Sequence, residues 1–168
     1  INNYQKNNSQ LEAKILFAPT ERKKGSPSPI TKLLVNKKFI EKILKRGYKI
    51  LYSHHIHDLN FTGEIDKRVE IFDGNWADIK IVVTDYSSIG ADFLLAGGEM
   101  VIYFTNDKNE FLENYGNGPL FKFEIKNGFE CQNQDQILNL LSINQLPTNS
   151  KKFVSYENFL KKIFNQIK

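Results

Sequence analysis

The 168 residues contain one cysteine, one methionine and one tryptophan. A lone thiol, Cys131, cannot close an intramolecular disulfide. That excludes a cystine-stapled scaffold and fits a reducing compartment; the thiol reads as a small buried or half-buried side chain. No apolar run approaches the roughly 18 residues needed to span a bilayer and no signal peptide is seen, so a soluble protein is expected. Internal repeats are missing, and low-complexity sequence is confined to the Asn/Lys-rich ends. The 23 Lys and Arg are scattered among 19 acids, for a net charge of +4. No contiguous basic stripe forms in the sequence, and no nucleic-acid partner is expected.

The composition that remains is 40% hydrophobic and 25% charged, which suits one domain with one core. The mild positive charge suits phosphorylated substrates, or weak contact with an anionic membrane surface. A start at Ile1 rather than methionine is expected of a piece of a longer protein. Residues 1–13 read as a polar, flexible lead-in, and residues 14–168 as a single domain.

Periodicity gives strands over Lys14–Ala18, Tyr48–Tyr52, Val69–Phe72, Ile79–Thr84, Met100–Phe104 and Leu120–Glu124. Ser28 and Pro29 form an N-cap and first-turn pair. Apolar residues from Leu33 to Leu44 then recur at helical spacing, as one helix stopped by Gly47. Further helices are expected over Ser88–Leu95 (ended by Gly97-Gly98), Asp135–Leu141 and Ser150–Ile167, with a single turn over Glu110–Tyr115. The last helix carries a stripe of Phe153, Tyr156, Leu160, Ile163, Phe164 and Ile167, expected to pack within the protein, with a basic amphipathic helix on a membrane as the alternative. Residues 56–66 read as loop or short helix. Trp76 and the phenylalanines read as core. Strands separated by helices imply an α/β, Rossmann-like parallel sheet flanked by helices.

The most informative stretch is Ile81-Val82-Val83-Thr84-Asp85-Tyr86-Ser87-Ser88. A β-branched run suited to a buried parallel strand leads into a polar turn and a helix start. Ser87 and Ser88 should stand at the sheet's carboxyl edge, where hydroxyls and backbone N–H groups can hold an anion such as phosphate. Plain helix capping is the competing reading. Arg22, after the first strand, should reach the same edge and could fork onto a phosphate; the adjacent Lys23 and Lys24 read as solvated.

This block resembles the TDYSS signature of the CDP-glycerol glycerophosphotransferases, which polymerise teichoic acid and related capsule chains. Leu16 to Arg22 is similar to the family's "APTxR" segment, Ala77-Asp78 to its "AD", Met100 to Phe104 to its "PIIFY" strand, and Gly118-Pro119 to its "GP", with an acidic stretch from Asp107 to Tyr115 between. Together these span residues 14 to 145. The resemblance implies the C-terminal, donor-binding half of a two-domain GT-B type enzyme, with no cofactor and no metal. The partners implied are a CDP-activated donor, a cell-envelope polymer acceptor and a missing N-terminal domain. The location implied is cytoplasmic, with peripheral contact at the inner face of the membrane.

The resemblance implies donor or phosphate binding by Thr20, Arg22, Thr84, Tyr86, Ser87, Ser88, Asp92, Gly118 and Pro119, with Asp92 touching ribose or glycerol hydroxyls. It implies a catalytic role for His55, which aligns with the histidine of a "K-x-H-P"-like motif and could act on the diphosphate as acid or as positive donor. Two departures stand out: Ser53 replaces the basic residue and Ile56 the proline. A metal site on His55 and His57 is the other sharp reading, but no third ligand stands at a suitable spacing. Two other functions stay open. One is a GT-B nucleotide-sugar glycosyltransferase for capsule or lipooligosaccharide. The other is a receiver-like signalling domain, suggested by an aspartate at a strand's end.

Overall fold

A computed structural model describes residues 13–20, 22, 27–54, 65–115 and 128–142. Among these, six strands and five helices form an α/β fold. The strands are β1 (Lys14–Ala18), β2 (Lys49–Tyr52), β3 (Glu70–Ile71), β4 (Ile79–Thr84), β5 (Met100–Phe104) and β6 (Phe129–Cys131). The helices are α1 (Pro29–Val35), α2 (Lys37–Leu44), α3 (Ile89–Leu95), α4 (Lys108–Tyr115) and α5 (Gln134–Leu140). All pairings are parallel, and the sheet order is β3-β2-β1-β4-β5-β6. The chain starts in the middle, winds outward one way, then crosses back and winds the other. That is the doubly wound order of dinucleotide-binding folds, whose direction reverses between β1 and β4.

Strand alternation builds two cores. One face of the sheet sends Ile15, Phe17, Ile50, Tyr52, Ile81, Val83 and Ile102 against Ile30, Leu34, Phe39, Ile40, Ile43 and Ile137 of α1, α2 and α5. The other sends Leu16, Val82, Val101 and Tyr103 against Phe93 of α3. β4 and β5 are apolar on both faces because both faces are covered.

The single helix expected from Leu33 to Leu44 is in fact two. Asn36, at φ −78 and ψ 96, leaves the helical region and serves both: its N–H bonds the Leu33 carbonyl, and its side chain accepts from the N–H groups of Lys38 and Phe39. An Asn competes for backbone bonds in this way, while the apolar spacing runs through the break and hides it. Ser28 caps α1 as expected, accepting from the Thr31 N–H at 3.1 Å. Gly47 and Gly97 take the positive φ of 81° and 93° that follows a helix end.

Three other expectations change. Trp76 is 43% exposed rather than core. The connection from β3 to β4 is a short loop with no crossover helix, so the indole lies at the margin, stacked on Phe93 at 6.0 Å and edge-on to Phe72 at 5.2 Å. The one turn expected at Glu110–Tyr115 is the eight-residue α4. Phe129–Cys131 pairs with β5 as a strand that periodicity did not reveal, being only three residues long. Cys131 is buried, and burial pushes its thiol up to about 11. The expected strand at Leu120–Glu124, the helix at Ser150–Ile167 and all but the last two residues of 56–66 lie outside the described residues.

Candidate functional site

The site is built where the winding reverses. Thr84 ends β4 opposite Ala18 of β1, and its buried hydroxyl donates to the Ala18 carbonyl at 2.6 Å. The next residue, Asp85, is buried. Its Oδ1 accepts the backbone N–H groups of Thr20 and Tyr86, each at 2.7 Å, and its Oδ2 accepts from Arg22 Nη2 at 2.8 Å. One carboxylate thus ties the chain leaving β1 to the chain leaving β4.

Arg22 is shared further. Asp107 Oδ2, just past β5, accepts from Nη2 at 2.9 Å and Nε at 3.3 Å, and the Thr20 carbonyl accepts from Nη1 at 3.1 Å. The guanidinium also lies 5.4 Å from the Tyr86 ring centre and 4.9 Å from that of Phe111, within cation–π range. Tyr86 donates its hydroxyl to Asp107 Oδ1 at 3.1 Å and stacks on Phe111 at 3.7 Å, which in turn stacks on Tyr115 at 4.5 Å. Residues from the segments that follow β1, β4 and β5 therefore meet at one guanidinium.

The charges follow from this packing. Burial pushes the Asp85 carboxyl above the ordinary aspartate range, against the opposing pull of Arg22 and of the Thr20 and Tyr86 hydrogen bonds. Burial also opposes the Arg22 charge, but Asp85 and Asp107 outweigh it and raise its pKa. Two backbone N–H donors and a guanidinium that does not deprotonate all favour the charged form of Asp85. Burial, then Asp107, pushes the Tyr86 phenol up, so it stays a donor.

Ser87 and Ser88 follow at the same edge. Ser87 Oγ accepts from the Ile89 N–H at a long 3.4 Å. Ser88 is the N-cap residue of α3, yet its hydroxyl makes no capping bond. Its backbone is already αR (φ −63, ψ −16), whereas a capping side chain needs an extended residue to reach back. The capping reading fails for Ser88, which is left exposed. Asp92, one turn on, is exposed too, and its N–H bonds the Ser88 carbonyl at 3.0 Å.

Beside this cluster a cavity of about 590 Å³ opens between α1 and α4, lined by Arg22, Lys32, Phe104, Asn106, Asp107, Glu110 and Tyr115 among others. Thr20, Arg22, Thr84 and Tyr86 are thus brought together with Asp85. Ser87, Ser88 and Asp92 continue along α3, and none of these three lines the cavity. His55, His57, Gly118 and Pro119 lie outside the described residues. His54 lies just past β2, its ring 6.3 Å from Tyr52.

Sequence reasoning passed over Asp85, Asp107 and Phe111 as site members. The available signal was an acid within a few residues of the ends of both β4 and β5, facing an arginine after β1. The receiver-like reading ends here, because both Asp85 oxygens are taken and its side chain is fully buried, leaving no phosphoryl acceptor.

The family described as "CDP-Glycerol:Poly(glycerophosphate) glycerophosphotransferase" matches residues 4–166. The chain belongs to this family. Among solved structures it is similar to that of the wall teichoic acid polymerase TagF, at 21% identity and a TM-score of 0.57 over 77% of this chain and 34% of that one. It is likewise similar to a histidine-to-asparagine variant of TagF soaked with CDPG, at 19% identity and a TM-score of 0.57 over 76% of this chain and 33% of that one. At such identity the likeness speaks for the fold, and the chain spans about a third of the length of these polymerase chains. No curated protein matches it. Among the described residues of this glycerophosphotransferase-family chain, no helix is long and apolar enough to cross a membrane.

Proposed function

We propose that the chain is the donor-binding half of a transferase that moves glycerol phosphate, or a related polyol phosphate, from a CDP-activated donor to a cell-envelope polymer. The observation that carries this is Ser88, an exposed hydroxyl released from capping at the carboxyl edge of a doubly wound sheet, in a chain of this family. Ser87, Ser88 and the backbone amides there would hold the donor's diphosphate, and Asp92 its ribose or glycerol hydroxyls. The Thr20–Arg22–Thr84–Tyr86 cluster would fix the edge on which the donor lies, with Gly118 and Pro119 shaping a turn near the nucleotide.

In the reaction, an acceptor hydroxyl oxygen attacks the glycerol-bearing phosphorus. The new P–O bond forms as the bond to CMP breaks, and the acceptor proton leaves to a base that a partner domain would supply. Such transfers depend on positioning and on neutralising phosphate oxygens. His55 would supply a proton or a positive hydrogen bond to the donor's diphosphate, at the oxygen that departs with CMP. The whole enzyme would work at the cytoplasmic face of the membrane, in teichoic acid or capsule synthesis.

The test is thermal stabilisation. CDP-glycerol at about 100 times its Kd should add roughly 2.7 kcal/mol, and Ser87→Ala with Ser88→Ala should abolish the shift. Stabilisation by uridine but not cytidine nucleotides would hand the site to a nucleotide-sugar glycosyltransferase. A double mutant that binds normally would remove the serines from the site.

A further inference from the structure

Cations that are interleaved with acids along the sequence are gathered by α2. Its apolar residues Phe39, Ile40 and Ile43 are buried in the core. Lys37, Lys38 and Lys42 consequently face solvent, and Lys45 and Arg46 follow at the helix end, with Glu41 the single acid among them. Glu41 is already engaged by Lys45 at 2.7 Å. Lys37, Lys38 and Lys42 make no ion pair among the described residues. Among the described residues Arg46 bonds only Ser142 Oγ and the Lys42 carbonyl, neither of which is an acid. Arg68 reaches the Lys37 carbonyl at 3.4 Å and closes one end of the face, neutralised by Asp66.

This arrangement opposes the helix's own preferences. Lys37 and Lys38 stand in a first turn that holds no acid, where the helix dipole is positive and a cation is unfavourable. Lys38 with Lys42, and Lys42 with Arg46, are like charges four residues apart, a repulsive spacing. A surface that goes against local stability in this way is where function is expected.

We propose that the α2 face is a track for a linear phosphodiester polymer, the poly(glycerophosphate) acceptor chain; this rests on the transferase reading above. Lys38 and Lys42 stand about 6 Å apart along the helix axis, and Arg46 follows just past the helix end. A chain with one phosphate per glycerol presents negative charge at a comparable repeat. A membrane surface fits less well, because the apolar side chains of α2 are consumed by the core and none is left to enter a bilayer.

The chain is titrated with poly(glycerol phosphate) of defined length, with phosphatidylglycerol vesicles and with CDP-glycerol, over a range of salt. The Lys38→Gln, Lys42→Gln, Arg46→Gln triple variant is measured alongside. The polymer should bind the wild type with a steep salt dependence. The triple variant should lose roughly tenfold or more at low salt, and its log–log salt slope should fall by about 2. Its melting temperature should hold or rise, as the like charges are relieved, and its CDP-glycerol binding should not change. Equal polymer binding by wild type and variant overturns the track, as does vesicle binding without polymer binding. Polymer binding with no CDP-glycerol binding supports the track and refutes the donor site instead.

Discussion

Asp85→Ala is the sharpest perturbation of the reversal point. It strands three donors at once: the Arg22 guanidinium and the N–H groups of Thr20 and Tyr86. The side chains of Arg22 and Asp85 are 10% and 0% exposed, so water offers little replacement. Removing one partner of such a buried pair costs about 3–5 kcal/mol, which for a domain of this size lowers Tm by roughly 10 °C. Asp107→Ala is the control. Its side chain is 15% exposed, and Arg22 keeps Asp85, so the loss should be about 1 kcal/mol. The double variant should exceed the sum of the two, because Asp107 is the partner left to Arg22 once Asp85 is gone. Chemical and thermal denaturation of the four proteins measures this directly. Equal losses for the two single variants, or a shift under about 2 °C for Asp85→Ala, would refute the view that Asp85 pins the site.

Two further predictions concern the frame. Asp66 is held down to about 2, chiefly by the Arg68 hydrogen bonds, from an ordinary 3.8. A depressed folded pKa means the contribution is complete above the unfolded value and fades as pH falls from 3.8 toward 2. With Arg68 substantially exposed it is worth about 1 kcal/mol. Asp66→Asn should therefore trail the wild type at neutral pH and converge with it in acid, and parallel denaturation curves across that range would contradict it. Gly90→Ala would place a Cβ 2.7 Å from the Tyr103 hydroxyl and 3.0 Å from Val101 Cγ1. The expected loss, read by denaturation, is about 1–3 kcal/mol, partly recovered by Tyr103→Phe; no loss would mean that α3 lifts freely from the sheet.

Much of the fold could be read because its signals are local. β1, β4 and β5 are short apolar runs ended by polar residues, and their observed limits, Lys14–Ala18, Ile79–Thr84 and Met100–Phe104, are those the pattern implies. Asn36 and β6 escaped for opposite reasons: the first interrupts a helix without interrupting its apolar spacing, and the second is too short to have a period. The site was legible at Thr20, Arg22, Thr84 and Tyr86, which the TDYSS and "APTxR" resemblances mark. Asp107 was not, because its role exists only through Arg22 and Tyr86, which lie 85 and 21 residues away in sequence.

That partnership changes what Arg22 can do. A guanidinium expected to fork onto a phosphate is instead committed to two carboxylates and a carbonyl, in a cluster whose two acids outnumber its one cation. A donor phosphate could take Arg22 only by displacing a carboxylate, and the two are not equivalent. Asp85 is fully buried and holds two backbone amides besides. Asp107 is partly exposed and stands at the head of α4, a helix with no buried residue. The ties of α4 to the sheet's edge include the Asp107 bonds to Arg22 and Tyr86, the Phe111 ring on Tyr86 and the Lys108 ion pair with Glu130 of β6 at 3.3 Å. Exchange of Arg22 from Asp107 to a phosphate would therefore remove one of several ties of α4, whereas exchange from Asp85 would undo the junction of β1 and β4. The arrangement makes Arg22 first a strut between strands, and Asp107 the one partner it can give up.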